Sequence, residues 1–240
     1  MKTVDESYVN PAHNLACDEV LLDEVNAGRR GPVLRFWESP VHFAVVGYGN
    51  SIERECDIEA CKRLDIPILR RISGGGTVLQ GPGCLNYALV MPIQPADGTR
   101  SVSDTNCLIM STHREALACA IGQAIEVQGC TDLTLGGVKF SGNAQKRRRH
   151  ALLFHGTFLL NFNLSLLAKT LNFPSTTPEY REGRDHAAFC LNLPMTTDTL
   201  KAALRQAWQT QGQAATPAPD AITALTRRKY ANPEWVRRRT

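Results

Sequence analysis

Arg70-Arg71-Ile72-Ser73-Gly74-Gly75-Gly76-Thr77 lies between the apolar runs Ile66-Pro67-Ile68-Leu69 and Val78-Leu79. Three adjacent glycines are entropically costly in any folded element and give a core nothing to pack. Such a run suits a place where a ligand lies directly against the backbone and takes its N–H groups. Two fixed cations beside it make that ligand an anion, either a phosphate or a carboxylate. No Lys-Ser or Lys-Thr follows, so the run is not a P-loop, and its GGG spacing differs from the GxGxxG of dinucleotide-binding folds.

Outward from this run, short strands alternate with helices. Apolar spacing over 14–25 predicts an amphipathic helix that ends at the glycines 28 and 31. Strands are predicted over 33–37 and 43–46, with a Ser39-Pro40 turn between them. A short helix over 57–64 precedes the strand that enters the glycines, and 84–90 is a further strand. A loop over 92–103 leads to a longer helix over 105–121, then to strands near 125–128 and 133–135. Beyond these, 152–162 reads as strand, 164–171 as helix, 176–187 as a polar surface loop and 197–208 as helix. A small-residue connector covers 212–219. Mixed short elements without repeats indicate one α/β or α+β domain.

The chain has 240 residues, 43% of them hydrophobic, enough for one substantial core or two small ones. With 21% charged and 7% aromatic residues, its composition is globular rather than disordered. Lysine and arginine outnumber aspartate and glutamate by 27 to 23, a formal charge of +4. The cations concentrate in Lys146-Arg147-Arg148-Arg149-His150 and Arg237-Arg238-Arg239. A modest field of this kind attracts an acidic protein as readily as a polynucleotide. No aromatic residues interleave the first run, so nucleic acid is not the expected partner.

Eight cysteines form no CxxC pair and lack a loop-rich secreted framework, so they read as reduced thiols. The first ten residues carry Asp5 and Glu6 and no apolar signal core, and no apolar run reaches membrane-spanning length. A cytoplasmic protein without membrane association is the expectation.

Two further segments carry chemistry. In Gly136-Gly137-Val138-Lys139-Phe140-Ser141-Gly142-Asn143-Ala144-Gln145, a lysine among glycines and small polar residues has room for a ligand. Its amine can neutralise a carboxylate or phosphoryl oxygen. In Phe154-His155-Gly156-Thr157-Phe158, a His-Gly-Thr step adjoins an apolar strand suited to one wall of an aliphatic pocket.

Together the three segments resemble the catalytic domain of the lipoate–protein ligase and octanoyltransferase family, itself related to biotin–protein ligases. The resemblance rests on Arg70-Arg71-Ile72-Ser73-Gly74-Gly75-Gly76-Thr77 with Leu85-Asn86-Tyr87, on Val138-Lys139-Phe140-Ser141-Gly142-Asn143-Ala144-Gln145, and on His155-Gly156-Thr157. They stand in family order, with Trp37 upstream and Lys229-Tyr230 and Glu234-Trp235 near the end. It implies a mixed, largely antiparallel sheet flanked by helices, forming a single domain over 1–240 without the accessory C-terminal domain of many ligases.

The resemblance also implies that ATP, with Mg²⁺, activates lipoate or octanoate as an acyl-adenylate. The acyl group then passes to a lysine of a lipoyl carrier domain, such as a 2-oxoacid dehydrogenase E2 subunit or a glycine-cleavage H-like protein. Lys139 is the implied catalytic residue, at the carbonyl–phosphate junction. Arg71, Ser73, Gly74, Gly75, Gly76 and Thr77 are implied to hold the adenylate, with Asn86, Ser141, Gly142, Asn143, Ala144, His155, Gly156 and Thr157 completing the site. As neighbours on an extended segment, Arg70 and Arg71 are expected to point to opposite faces. Ser73 and Ser141 either bind ligand or cap turns. Asn86 either orients the glycine loop or is a buried strand asparagine satisfied by backbone groups. His155 is a core histidine, a loop anchor or a pocket wall, and Trp37, Val46 and Leu85 line the acyl tunnel or are core. Lys146 to His150 either docks an acidic carrier or is a solvated loop. The metal ligands are not identified.

Departures from the family pattern keep other readings open. Gln80-Gly81 stands where relatives have a histidine often followed by aspartate, and Gly47-Tyr48-Gly49-Asn50 stands where many have an Arg-Asn-Gln-like step. One alternative is an ATP-independent octanoyl or lipoyl transferase using a cysteine thioester, with Cys130, nine residues before Lys139, as the candidate nucleophile. Another is a noncatalytic acyl- or adenylate-binding protein. A separate accessory subunit is compatible with the ligase reading.

Overall fold

The structure, a computed structural model, describes residues 1–239. In chain order its strands are β1 (Lys2–Asp5), β2 (Val33–Trp37), β3 (Phe43–Val46), β4 (Ile68–Arg70), β5 (Val78–Gln80), β6 (Cys84–Pro92), β7 (Ile125–Gln128), β8 (Asp132–Leu135), β9 (Val138–Arg147) and β10 (Ala151–Leu159). The helices are α1 (Pro11–Asn26), α2 (Ile52–Glu55), α3 (Ile58–Arg63), α4 (Val102–Ile121), α5 (Ser165–Thr170), α6 (His186–Phe189), α7 (Thr197–Ala207), α8 (Pro219–Leu225) and α9 (Pro233–Val236).

The larger sheet has the order β1-β2-β6-β10-β9-β8-β7, and only its β1–β2 pair is parallel. A smaller sheet, β4-β3-β5, pairs β3 parallel to β4 and antiparallel to β5. This is the mixed, largely antiparallel architecture with flanking helices that the sequence resemblance implied. The parallel β3–β4 pair needs a crossover, which α2 and α3 supply. The glycine run leaves the carboxyl end of β4 and re-enters the same sheet as β5.

Alternation along the strands sorts the larger sheet into two faces. On one face Phe36, Tyr87, Phe154 and Phe158 form a core with Ile109 and Leu117 of α4 and Leu200 and Leu204 of α7. The other face carries Trp37, Ala88, Val90 and Leu153, which meet α1 and the smaller sheet's Phe43, Val45 and Leu69. Strand register aligns Arg35, Ala88, His155 and Ala144 across four strands of this second face, with Trp37, Asn86, Thr157 and Gly142 in the next row. The small side chains of Ala88, Ala144 and Gly142 lower the sheet's floor there, and the candidate site occupies that depression.

Helix α1 starts at Pro11, earlier than predicted, because Asn10 caps it by accepting from Ala12 N and proline suits the first turn. It brings acids into the core. Buried Asp18 pairs with fully buried Arg35 of β2, whose guanidinium also reaches Asn14 O and Oδ1 and Glu6 O. Glu19 accepts from Lys229 Nζ, Tyr230 OH and Arg148 Nη2, tying α1 to the C-terminal segment and to the β9–β10 corner.

Two stretches differ from the sequence reading. Lys146 and Arg147 of the basic run lie in β9 rather than in a solvated loop, because β10 pairs with them, and the lysine motif from Val138 to Gln145 belongs to the same strand. The polar stretch over 176–187 is not a bare surface loop. It contains a single helical turn over Glu179–Arg181 and the start of α6, and it buries Arg181 between the rings of Phe173 and Phe189.

Removing the Arg35 guanidinium would leave Asp18 charged and unpaired in the core. Arg35→Met is therefore expected to lower the free energy of unfolding by about 3–5 kcal/mol, measured by urea denaturation. A loss below about 1 kcal/mol would show that the pair is not a main tie of α1 to the sheet.

Candidate active site

The glycine loop is shaped by Arg71. Its side chain is buried, and four of its five N–H groups are taken by the protein. Nε donates to Ser73 Oγ at 3.0 Å, Nη1 to Val45 O at 3.2 Å, and Nη2 to Gly74 O at 2.6 Å and Gly76 O at 2.7 Å. The third glycine carbonyl, Gly75 O, accepts from Asn50 Nδ2 at 3.1 Å. All three carbonyls thus turn into the protein, while the N–H groups of Gly74, Gly75 and Gly76 meet no protein acceptor among the described residues. Carbonyls held by the protein and amides without protein acceptors are what an anion nest requires.

Glycine is required at Gly75, where φ is +86° and a Cβ would come within 3.1 Å of Arg71 Nη2. It is required also at Gly47, where a Cβ would collide with Gly75 O. The Gly47-to-Asn50 step that departs from the family pattern is therefore a seat for the glycine loop. Burial pushes the Arg71 guanidinium down to about 10, which leaves it charged at neutral pH. Arg70 points the other way, as expected, donating to Gly47 O, Asn50 O and Val236 O.

Lys139 reaches the site through a backbone irregularity. Gly136 and Gly137, at φ +58° and +74°, form a two-residue hairpin turn of the primed kind. After it, the β8–β9 register slips between Leu133 and Thr134, so that one extra residue of β9 bulges. Phe140 then joins Ser141 on the far face, where its ring packs against Phe158, and Lys139 is turned onto the near face. Its ammonium lies over Gly142, where a Cβ would sit 3.0 Å from Nζ. It contacts Asp132 Oδ1 at 2.8 Å, and Tyr180 OH donates to Asp132 Oδ2 at 2.7 Å.

His155 faces the loop from β10, with Nε2 2.6 Å from Ser73 Oγ. Arg71 already donates to that hydroxyl, so we assign the hydroxyl hydrogen to Nε2 and the imidazole proton to Nδ1. Burial, reinforced by nearby Arg71, pushes the imidazole down to about 3, and it is neutral at physiological pH. Gln80, read from the sequence as replacing a histidine, acts as a donor: Nε2 donates to Thr157 Oγ1 at 2.9 Å. Thr157 in turn donates to Asn86 Oδ1 at 2.6 Å.

Two cavities converge on Lys139. A narrow cleft of about 120 Å³ runs over Ala144 and His155 to Trp37 and Leu15. A wider chamber of about 670 Å³ extends beneath the segment carrying Tyr180, Arg181 and Phe189. Gly76, Thr77, Asp132 and Gly142 border both.

The three sequence motifs are therefore brought together, though their residues divide in role. Backbone at Gly75 and Gly76, the Lys139 amine, Thr77, Asn86, Thr157 and Ala144 face the cavities. The side chains of Ser141 and Asn143 turn to the far face, where Asn143 accepts from Tyr87 OH at 2.6 Å and donates to Thr131 O and Ser141 Oγ. A Cβ at Gly156 would collide with that Asn143 amide, so Gly156 makes room for it. Cys130 is exposed at the chamber rim, and Cys190 lies deeper in the same chamber with its thiol pushed up by burial.

Sequence reading missed Asp132, Tyr180, and the role of Gln80 as the Thr157 anchor. For Asp132 a signal exists. The Gly-Gly step between apolar runs is a hairpin mark, and it brings the preceding strand beside the lysine.

The model of the lipoyl protein ligase A/B catalytic domain matches residues 10–209, and the chain belongs to this family. It is 28% identical over 270 residues to octanoyltransferase LipM of Geobacillus kaustophilus, across 97% of this chain and 96% of that protein. It is 29% identical over 174 residues to lipoate-protein ligase A subunit 1 of Thermoplasma acidophilum, across 70% of this chain and 66% of that protein.

Among solved structures, its fold resembles lipoate-protein ligase A bound with ATP, with a TM-score of 0.82 at 22% identity over 98% of this chain and 97% of that one. It also resembles a bi-partite lipoate protein ligase from Thermoplasma acidophilum described with its E2 lipoyl domain. There the TM-score is 0.80 at 22% identity, over 98% and 95% of the chains. The family handles lipoyl or octanoyl groups and includes both ligases and transferases. No helix among the described residues is long and apolar enough to cross a membrane.

The depressed imidazole of His155 has a consequence for stability. Its folded value lies below the ordinary 6.5, so the unfolded chain binds the proton more readily. Its contribution is fully present above about pH 6.5 and is lost as pH falls towards 3. Buried His113, also pushed down to about 3, behaves alike. Stability is expected to fall by about 1.4 kcal/mol per pH unit for each histidine between about pH 6 and 4. His155→Gln should remove one such increment from denaturation curves taken across that range, and an unchanged slope would refute the assignment.

Proposed function

We propose that this chain is an ATP-dependent lipoate–protein ligase. It activates lipoate or octanoate as the acyl-adenylate and transfers the acyl group to a lysine of a lipoyl carrier domain. The observation that carries the reading is the meeting of a narrow cleft and a wider chamber at the Lys139 amine, bordered by Gly75 and Gly76, whose N–H groups have no acceptor among the described residues. The cleft suits an acyl chain, the chamber a nucleotide, and the junction their shared carbonyl–phosphate linkage. Adenylation builds negative charge on phosphate oxygens, and aminolysis builds it on the carbonyl oxygen. An ammonium and oriented amides already in place stabilise both.

Within this reading Arg71 holds the nest in shape, and Ser73 and His155 fix its floor. An imidazole at about 3 is too weak a base to take a proton from the incoming lysine, so His155 is a positioning residue. Mg²⁺ bound with ATP draws its ligands chiefly from phosphate and water. The described residues offer no cluster of three metal-ligating side chains. Asp132 lies at the junction with both oxygens engaged. Magnesium would enter with the nucleotide, held chiefly by its phosphates.

The transferase alternative draws on the relative LipM and on the two chamber thiols, Cys130 and Cys190. No cysteine lines the narrow cleft among the described residues, and the Cys190 thiol is pushed up by burial, which disfavours the thiolate. This supports the ligase.

One assay separates the two: apo lipoyl domain with lipoate or octanoate and ATP, followed by pyrophosphate release and carrier mass. Lys139→Ala is expected to lower adenylation at least about 100-fold, while Cys130→Ala and Cys190→Ala leave ATP-dependent turnover unchanged. Acyl transfer from an octanoylated carrier without ATP, lost in Cys130→Ala, would establish the transferase instead.

A further inference from the structure

Tyr48 follows β3 and leans on the glycine loop: its N–H donates to Ser73 O at 2.8 Å. Two cations from distant parts of the chain converge on its ring. The Arg238 guanidinium carbon lies 4.2 Å from the ring centroid and Lys146 Nζ 5.4 Å from it. Lys146 continues the near face of β9, two residues beyond Ala144. Arg238 follows α9 and also lies 5.0 Å from the Trp235 ring.

Neither cation forms an ion pair among the described residues. Two other cations of the basic run are different, although Arg149 is likewise without an ion pair among the described residues. Arg147 donates to Thr99 O and Thr105 Oγ1, and Arg148 pairs with Glu19 and Asp23. Fully buried Arg70 adds a third charge beneath them, held by carbonyls alone. Its guanidinium is pushed down by burial and by the nearby charges of Arg238 and Arg239. Trp235 Nε1 donates to Arg70 O at 2.9 Å and fixes this arrangement to the root of the glycine loop.

Like charges gathered around one ring repel one another unless an anion from outside joins them. We infer that Lys146, Arg238 and the Tyr48 ring between them form the docking surface for an acidic face of the carrier protein, whose lysine enters the cleft beside them. The inference rests on the proposed function. A partially exposed tyrosine flanked by cations is a typical interface anchor, and charge at a rim acts on encounter and orientation. A single ring offers no series of stacking platforms, which disfavours single-stranded nucleic acid.

The test uses the full chain, an apo lipoyl domain as probe, and the double variant Lys146→Glu/Arg238→Glu. Binding of the domain is measured by titration at several salt concentrations, and adenylation separately by ATP–pyrophosphate exchange with the free acid. The dissociation constant and KM for the domain are expected to rise at least about tenfold, with loss of the wild type's salt dependence. Pyrophosphate exchange should stay within about twofold of wild type, and Lys146→Arg/Arg238→Lys should restore binding.

Unchanged binding by the reversed variant would overturn the inference. So would a parallel fall in exchange, which assigns the cations to the nucleotide, or preferential binding of a single-stranded RNA at the same residues. A wild-type chain that binds the domain through these residues but never acylates it would refute the proposed function and leave the docking surface standing.

Discussion

The Arg71 guanidinium reaches back from the end of β4 and draws the carbonyls of Gly74 and Gly76 inward, while Asn50 draws in that of Gly75. A glycine run without such bonds would sample many conformations and present no defined donor set. The buried charge accepts this task because protein oxygens replace the water it lost, and four of its bonds are charge-assisted. The rest of the site depends on that arrangement. Ser73, held by Arg71 Nε, presents its hydroxyl to His155, and Gly47 lies close enough to Gly75 that no other residue fits.

The opposing wall depends on a bulge. A regular β9 would place Lys139 on the same face as Ser141 and Asn143, among the aromatic rings of the far core. The slipped register sends Phe140 there instead and delivers the lysine to the depression above Gly142. Asp132 and Tyr180 then hold the ammonium where the cleft and the chamber meet. One extra residue in one strand thus decides which side of the sheet carries the chemistry.

Charge is used in two ways in this fold. The acids of α1 neutralise Arg35, Lys229 and Arg148 and tie distant segments to one helix. Lys146 and Arg238 find no such acid among the described residues and gather at the Tyr48 ring. A basic run that looks uniform in sequence is therefore divided by the strand's alternation, with successive residues committed to different sides.

The sequence alone determined the family and many of the elements. Val33–Trp37, Phe43–Val46 and Ile125–Gln128 form strands where β-branched and aromatic residues alternate between turn signals, and Asp57 caps the helix predicted after it. The triple glycine reads as a backbone open to a ligand, because three residues without side chains leave its N–H groups unshielded. What the sequence could not show was which groups would be left free. Arg71 reads as a ligand's counter-charge and serves the loop; Gln80 reads as a lost histidine and anchors Thr157; Ser141 and Asn143 turn away from Lys139. Those outcomes follow from register, a bulge and the competition of protein carbonyls for each donor, all of which arise between segments far apart in the chain. Local spacing records none of them, so only the tertiary structure decides them.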